Sequence, residues 1–108
     1  MCIPGQTEDI NFNLHDLVYA EADGDYTQFF VRGREDEIII SSKNLKHYED
    51  MFKGMGPVRI SRKHIINPRC ILRTTHHKSI QVILNYFPKA TITVGDSFKS
   101  AFKAAFYK

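Results

Sequence analysis

The chain has 108 residues, 43% hydrophobic and 25% charged, which suits one domain over 1–108 with a modest core and is too short for two. No apolar run approaches the roughly 20 residues of a membrane helix, and the start, MCIPGQTED, lacks the basic and apolar regions of a signal peptide. The net charge of +3 conceals a partition: residues 1–56 carry 5 Lys and Arg against 11 Asp and Glu, whereas residues 57–108 carry 10 against Asp96 alone, so the halves are −6 and +9.

A half this basic either faces a polyanion or is a solvated surface with no partner. Cys2 and Cys70 match no metal spacing, and two free thiols in a reducing cytoplasm are expected.

In chain order, INFNL (10–14), LVYAEA (17–22) and YTQFFVR (26–32) have the composition of strands, with the turn DGD (23–25) between the last two. EIIIS (37–41) continues the pattern after the charged turn GRED. Ser42 is placed to cap a helix in which Leu45, Tyr48 and Phe52 recur at helical spacing until Gly54. Pro57 opens a strand, VRIS, whose Val58 and Ile60 face one way and Arg59 and Ser61 the other.

ILRTT (71–75), IQVILNY (80–86) and ATITV (90–94) make further strands, with Pro88 and Lys89 in the turn between the last two. Phe98, Ala101, Phe102, Ala105 and Phe106 then follow the i, i+3, i+4, i+7, i+8 spacing of an amphipathic helix, with Lys99 and Lys103 off its apolar stripe. The order predicts a mainly β, α+β chain of antiparallel strands with one central and one terminal helix. It fits neither a doubly wound sheet nor a helix-turn-helix.

Catalytic motifs are missing. His76 and His77 are adjacent, so on a rigid strand they face opposite sides and cannot chelate one metal. There is no Gly-rich phosphate loop, zinc-type Cys/His set or nucleophile motif. Asp23 and Asp25 flank Gly24 as turn residues. Neither an enzyme nor a cofactor is expected.

The stretch VRISRKHIINPR (58–69) sets Arg59, Arg62, Lys63 and Arg69 among Val58, Ile60, Ile65 and Ile66. Apolar residues on both sides would anchor a cationic loop and keep it rigid. Arg62 can place two parallel donors on guanine O6 and N7 or on a phosphate, and Lys63 can neutralise a neighbouring phosphate. Arg59 either reaches a ligand or pairs with an acid of the first half. His64 is assigned to packing, and Asn67 and Pro68 to the turn.

In sequence order, LVYAEADGDYTQFFV (17–31), LKHYEDMF (45–52), VRISRKHIIN (58–67) and the last strand leading into the terminal helix resemble the LytTR family of bacterial DNA-binding domains. The resemblance runs from about residue 10 to about 107. It implies an elongated fold of small antiparallel sheets, with loops instead of a recognition helix entering successive major grooves of double-stranded DNA. It also implies the output domain of a cytoplasmic response regulator, with a receiver domain elsewhere in the full protein and a homodimer on repeated half-sites. Nothing in this chain resembles the receiver's aspartate-bearing strands.

Three contact regions carry over by position: Thr27 after the DGDY turn, then Ser61, Arg62 and Lys63, then Gly95, Asp96 and Ser97. Asp96 stands where the family's pattern has arginine. It is expected to cap the terminal helix, or to accept a hydrogen bond from a cytosine amino group, while Lys99 replaces it as a phosphate contact. Two other functions remain open on the residues alone. Tyr26, Phe29 and Phe30 lie on one strand and could stack single-stranded nucleic acid or RNA bases, and the basic half could dock an acidic protein partner.

Overall fold

Leu17, Val18, Tyr19 and Ala20 are consecutive and all four are buried. A strand alternates its side chains between two faces, so it buries four in a row only when both faces are covered. The computed structural model, which describes Met1–Tyr107, accordingly places their strand, β3 (Leu17–Asp23), at the centre of a five-stranded sheet. Its neighbours are β4 (Tyr26–Val31), which leads to β5 (Ile39–Ser41) on one side, and β7 (His64–Ile66), which leads to β6 (Val58–Arg59) on the other. Every pairing is antiparallel.

One face of this sheet packs Leu17, Ala20, Phe29, Val31, Ile39 and Ile65 against Leu45, Tyr48 and Phe52 of the central helix segment. That helix, α1 (Leu45–Met51), shares the face with a hairpin of β1 (Cys2–Pro4) and β2 (Asp9–Asn11). The opposite face packs Val18, Tyr19, Ile60 and Ile66 against Val82, Leu84, Ile92 and Phe102. These come from a second sheet of β8 (Ile71–His76), β9 (Ile80–Leu84) and β10 (Thr91–Thr93), and from α2 (Lys99–Phe106). Adjacent residues of one strand thus serve separate cores: Ile65 lies in the first and Ile66 in the second. The body is elongated, 42 × 25 × 24 Å.

The expected fold class holds, with local differences. The strand β1 is not legible because it is three residues long, ends on Pro4 and depends on pairing with β2. β7 is likewise an unexpected strand, formed where Ile65 and Ile66 reach both cores. Ser42 does not cap α1: its N–H and hydroxyl both donate to the Pro4 carbonyl, tying β5 to β1. The cap is Asn44, whose side-chain oxygen accepts from the His47 N–H at 3.0 Å. Asp96 caps nothing either, since the chain first makes a 3₁₀ turn, Asp96–Phe98, without a side-chain cap. Cys2 and Cys70 are free thiols, and burial pushes the Cys70 thiol upward.

Tyr19 gives the second core a pH-dependent signature. Its ring stacks on Phe30 at 4.0 Å between centroids and meets Phe87 edge-on. Burial, and then the nearby Glu21 carboxylate, push its hydroxyl from 10.0 up to about 12. Above pH 10 the unfolded chain therefore ionises this group while the folded chain keeps it neutral. Its contribution is fully present below pH 10 and is lost as pH rises towards 12, at a cost of about 2–3 kcal/mol. Urea unfolding across that range should show the fall, and Tyr19→Phe should flatten it, leaving a smaller residue from Tyr48, whose hydroxyl burial also raises. An unchanged alkaline slope in the variant would refute the assignment.

Candidate nucleic-acid interface

The short strands β6 and β7 pair Val58 with Ile66 and Arg59 with Ile65. The Ile60 N–H then donates to the His64 carbonyl at 3.0 Å, closing the loop Ser61–Lys63. Ile60, Ile65 and Ile66 are all buried, so both stems of the loop are clamped by apolar packing. That is the anchoring expected from the sequence.

The polar grip on the loop comes largely from Arg59. Its Nε donates to the Ser61 carbonyl at 3.1 Å and its Nη2 to the Arg62 carbonyl at 2.6 Å. The third carbonyl, that of Lys63, accepts from the Ala22 N–H of β3 at 2.8 Å. All three loop carbonyls are therefore held from behind. The remaining Nη1 of Arg59 binds Glu49 of α1 at 3.0 Å, and the guanidinium lies 5.8 Å from the centroid of the Phe98 ring. Of the two roles open to Arg59, pairing with an acid of the first half is the one observed.

Ser61 and His64 complete the loop. The Lys63 N–H donates to Ser61 Oγ at 3.2 Å, and Ser61 Oγ lies 2.9 Å from His64 Nδ1. His64 Nε2 is 2.9 Å from Glu21 Oε1 on β3. His64 thus packs and bridges. Arg62 and Lys63 are exposed, and neither side chain has an ion-pair partner among the described residues.

The segment Gly95–Ser97 lies beside this loop. The Gly95 N–H donates to the Ile60 carbonyl at 2.8 Å. A side chain at Gly95 would begin 3.1 Å from the Phe98 ring and 3.6 Å from Ser61 Cα, so anything larger than glycine would press on the Phe98 ring. Ser97 is exposed, and Asp96 is exposed and paired with Lys99 at 3.1 Å. Sequence reasoning placed these segments separately; the fold makes them neighbours.

Thr27 does not join them. It is 0% exposed, and its hydroxyl donates to the Lys43 carbonyl at 2.9 Å. The expectation of a direct contact from Thr27 is therefore corrected: on β4 it shares the inward parity of Phe29 and Val31. The same geometry removes the stacking platform. Phe29 is in the first core, Phe30 stacks on Tyr19 over the second, and only Tyr26 is exposed. Among the described residues no three His, Cys, Asp or Glu side chains converge on a candidate metal position.

A family model, the LytTr DNA-binding domain, matches residues 8–107. The chain belongs to the LytTr DNA-binding domain family. Among solved structures it is similar to the LytTr DNA-binding domain of a Bacillus cereus protein described as a methyl-accepting/DNA response regulator, with a TM-score of 0.76. Identity is 17%, over 97% of this chain and 94% of that one, so this likeness speaks for the LytTr fold. A comparison with curated proteins finds no match. DNA binding is the activity that LytTr membership carries.

The Arg59 geometry has a measurable consequence. Arg59→Ala should cost about 1–3 kcal/mol, because it leaves Glu49 and two carbonyls without their donor. Arg59→Lys should not restore stability, since one ammonium cannot span three acceptors fixed around a planar fork. Thermal unfolding measures the first effect, and hydrogen exchange at the Arg62 and Lys63 amides measures the loosening of the loop. Full recovery in the lysine variant would refute the three-way clamp.

Proposed function

We propose that this LytTr chain is the sequence-specific, double-stranded-DNA-binding output domain of a cytoplasmic bacterial transcriptional regulator, its loops reading successive major grooves. The observation that carries the reading is the loop Ser61–Lys63, whose three carbonyls are held from within while Arg62 and Lys63 face solvent unpaired. A loop backbone held in this way adds no backbone ordering cost on binding and leaves only the two side chains to be ordered. Arg62 is the base reader, by its two-pronged geometry on guanine, and Lys63 neutralises phosphate.

Ser97 and Lys99 extend the interface on the neighbouring segment. The Lys99–Asp96 pair is a surface pair, worth at most about 1 kcal/mol, so Lys99 can exchange Asp96 for a phosphate. Ser61 positions the loop through its hydroxyl, and Thr27 acts at one remove by fixing the Lys43 carbonyl. In the full protein a receiver domain would control this one, and two copies would occupy repeated half-sites. No helix among the described residues is long and apolar enough to cross a membrane.

Binding of this chain to specific and scrambled duplexes at several salt concentrations tests the proposal. Log K should fall with log salt with a slope reflecting about 4–6 neutralised phosphates. Arg62→Ala should lose roughly 1–3 kcal/mol on the preferred site and much less on scrambled DNA. Lys99→Ala should weaken both alike and reduce the slope by about one. A slope near zero, or equal affinity for an acidic polypeptide, would replace this reading with a protein-docking one.

A further inference from the structure

The basic half of the chain holds cations that the loop Ser61–Lys63 does not use. Lys78 sits in the turn joining β8 to β9, and Lys103 lies one helical turn beyond Lys99 on α2, on the same side of the helix. The turn and the helix enclose an open cleft of about 390 Å³, lined by His76, His77, Lys78, Lys99, Lys103 and Tyr107. Among the described residues no carboxylate lines it, and Lys78 and Lys103 have no ion-pair partner. Lys78 and Lys103, with Lys99 held by Asp96 at the cleft's edge, gather positive charge that an anion would offset.

The cleft is continuous with the loops described above. Lys99 lines it and also pairs with Asp96 of the Gly95–Ser97 segment. The Val94 N–H donates to the Ile80 carbonyl at 2.8 Å, which fixes the base of the β8–β9 turn to the residue just before Gly95. Gly95 in turn is bonded to Ile60, beside the cationic loop. One band therefore runs from Arg62 and Lys63 through Ser97 and Lys99 to Lys78 and Lys103. Its donors at the far end are point charges on flexible stems together with hydroxyl and imidazole groups, which suits phosphate and carries no base-reading geometry. His76 Nε2 lies 3.0 Å from the Tyr107 hydroxyl, which ties the hairpin to the end of α2 and sets the width of the cleft.

We propose that this cleft is a second phosphate-binding site, in which Lys78 and Lys103 hold the DNA backbone beyond the stretch that the loops read. The inference rests on the DNA-binding reading above and adds a contact that the sequence comparison of motifs did not assign. Both lysines are exposed, so their removal leaves the cores intact. The control is Arg69→Ala with Lys89→Ala, which removes the same charge from exposed positions at the opposite end of the β8–β9 hairpin.

The test compares wild type, Lys78→Ala/Lys103→Ala and the control pair on selected and scrambled duplexes across salt, with inorganic phosphate and polyglutamate as competitors. The cleft variant should bind both duplexes more weakly by the same factor. Its salt slope should fall by roughly 1–2 units relative to wild type and to the control. Its base preference and melting temperature should stay those of wild type. A cleft variant indistinguishable from wild type, or no weaker than the control pair, overturns the proposal while leaving the DNA reading in place. So does a cleft that takes inorganic phosphate yet leaves duplex binding unchanged on mutation, which would make it a small-anion site. Wild type failing on every duplex overturns the DNA reading itself, and the cleft's assigned partner with it.

Discussion

The guanidinium of Arg59 is the interaction on which the rest of the interface depends. It is planar, always charged, and offers its donors in fixed directions. One goes to Glu49 on the central helix and two to consecutive carbonyls of the loop Ser61–Lys63, while the ring of Phe98 lies across it from the second core. Three parts of the chain, α1, the adjacent loop and the Phe98 segment, are thereby referred to one side chain. The loop's carbonyls and the Ser61 hydroxyl are consumed inward, and the Arg62 and Lys63 side chains are the ones left exposed. A loop of three residues cannot fill both roles unless something behind it supplies donors.

The charge partition acquires a structural meaning from the same geometry. The acidic half does not stand apart from the basic half as a repelling block. Glu49 and Glu21 come from the first half, and each reaches a basic or titratable residue of the second, Arg59 and His64 respectively. Glu49 neutralises Arg59 at the base of the loop and Glu21 sets a carboxylate beside His64, and neither reaches the loop's tip. A positive surface over a neutralised foundation is less self-repulsive than the net charge of +9 suggests, and its field is concentrated at Arg62, Lys63 and the α2 lysines. Asp96 is the one acid within this band. Its pairing with Lys99 holds that lysine at the surface in the absence of a stronger anion.

Much of the architecture was legible because hydrophobic period is a local signal. The run LVYAEA (17–22) announced a strand, and Phe98, Phe102 and Phe106 announced the terminal helix. What escaped the sequence depends on partners far along the chain. β1 exists only through its register with β2, and Ser42 turned to Pro4 because that strand was there, leaving capping to Asn44. Thr27 is a different kind of miss. Its burial was readable from its own parity with Phe29 and Val31, and a motif position was given priority over a period of two. For the candidate interface, chemistry alone picked out the cationic loop. The adjacency of Gly95 to Ser61, and the role of Arg59 as support, needed three-dimensional placement.

Why this fold would read DNA with loops is a matter of what its helices are already doing. α1 spans seven residues and commits Leu45 and Tyr48 to the first core; α2 spans eight and commits Phe102 to the second. At 1.5 Å per residue neither is much longer than about 12 Å, and each is docked along its length, so neither can project into a groove end-on. What the fold leaves free are the turns at one end of its sheets. The Ser61–Lys63 turn is stiff because Ile60, Ile65 and Ile66 beside it are buried and because its carbonyls are bonded inward. A fixed backbone limits where the Arg62 fork can reach, which under the proposed reading favours discrimination of a base edge from a phosphate. α2 can then contribute only its side, and a row of lysines along a helix side is suited to tracking a backbone and not to reading bases. In the proposed reading, a division between a specifying loop and an anchoring helix would follow from which elements the two cores have already claimed.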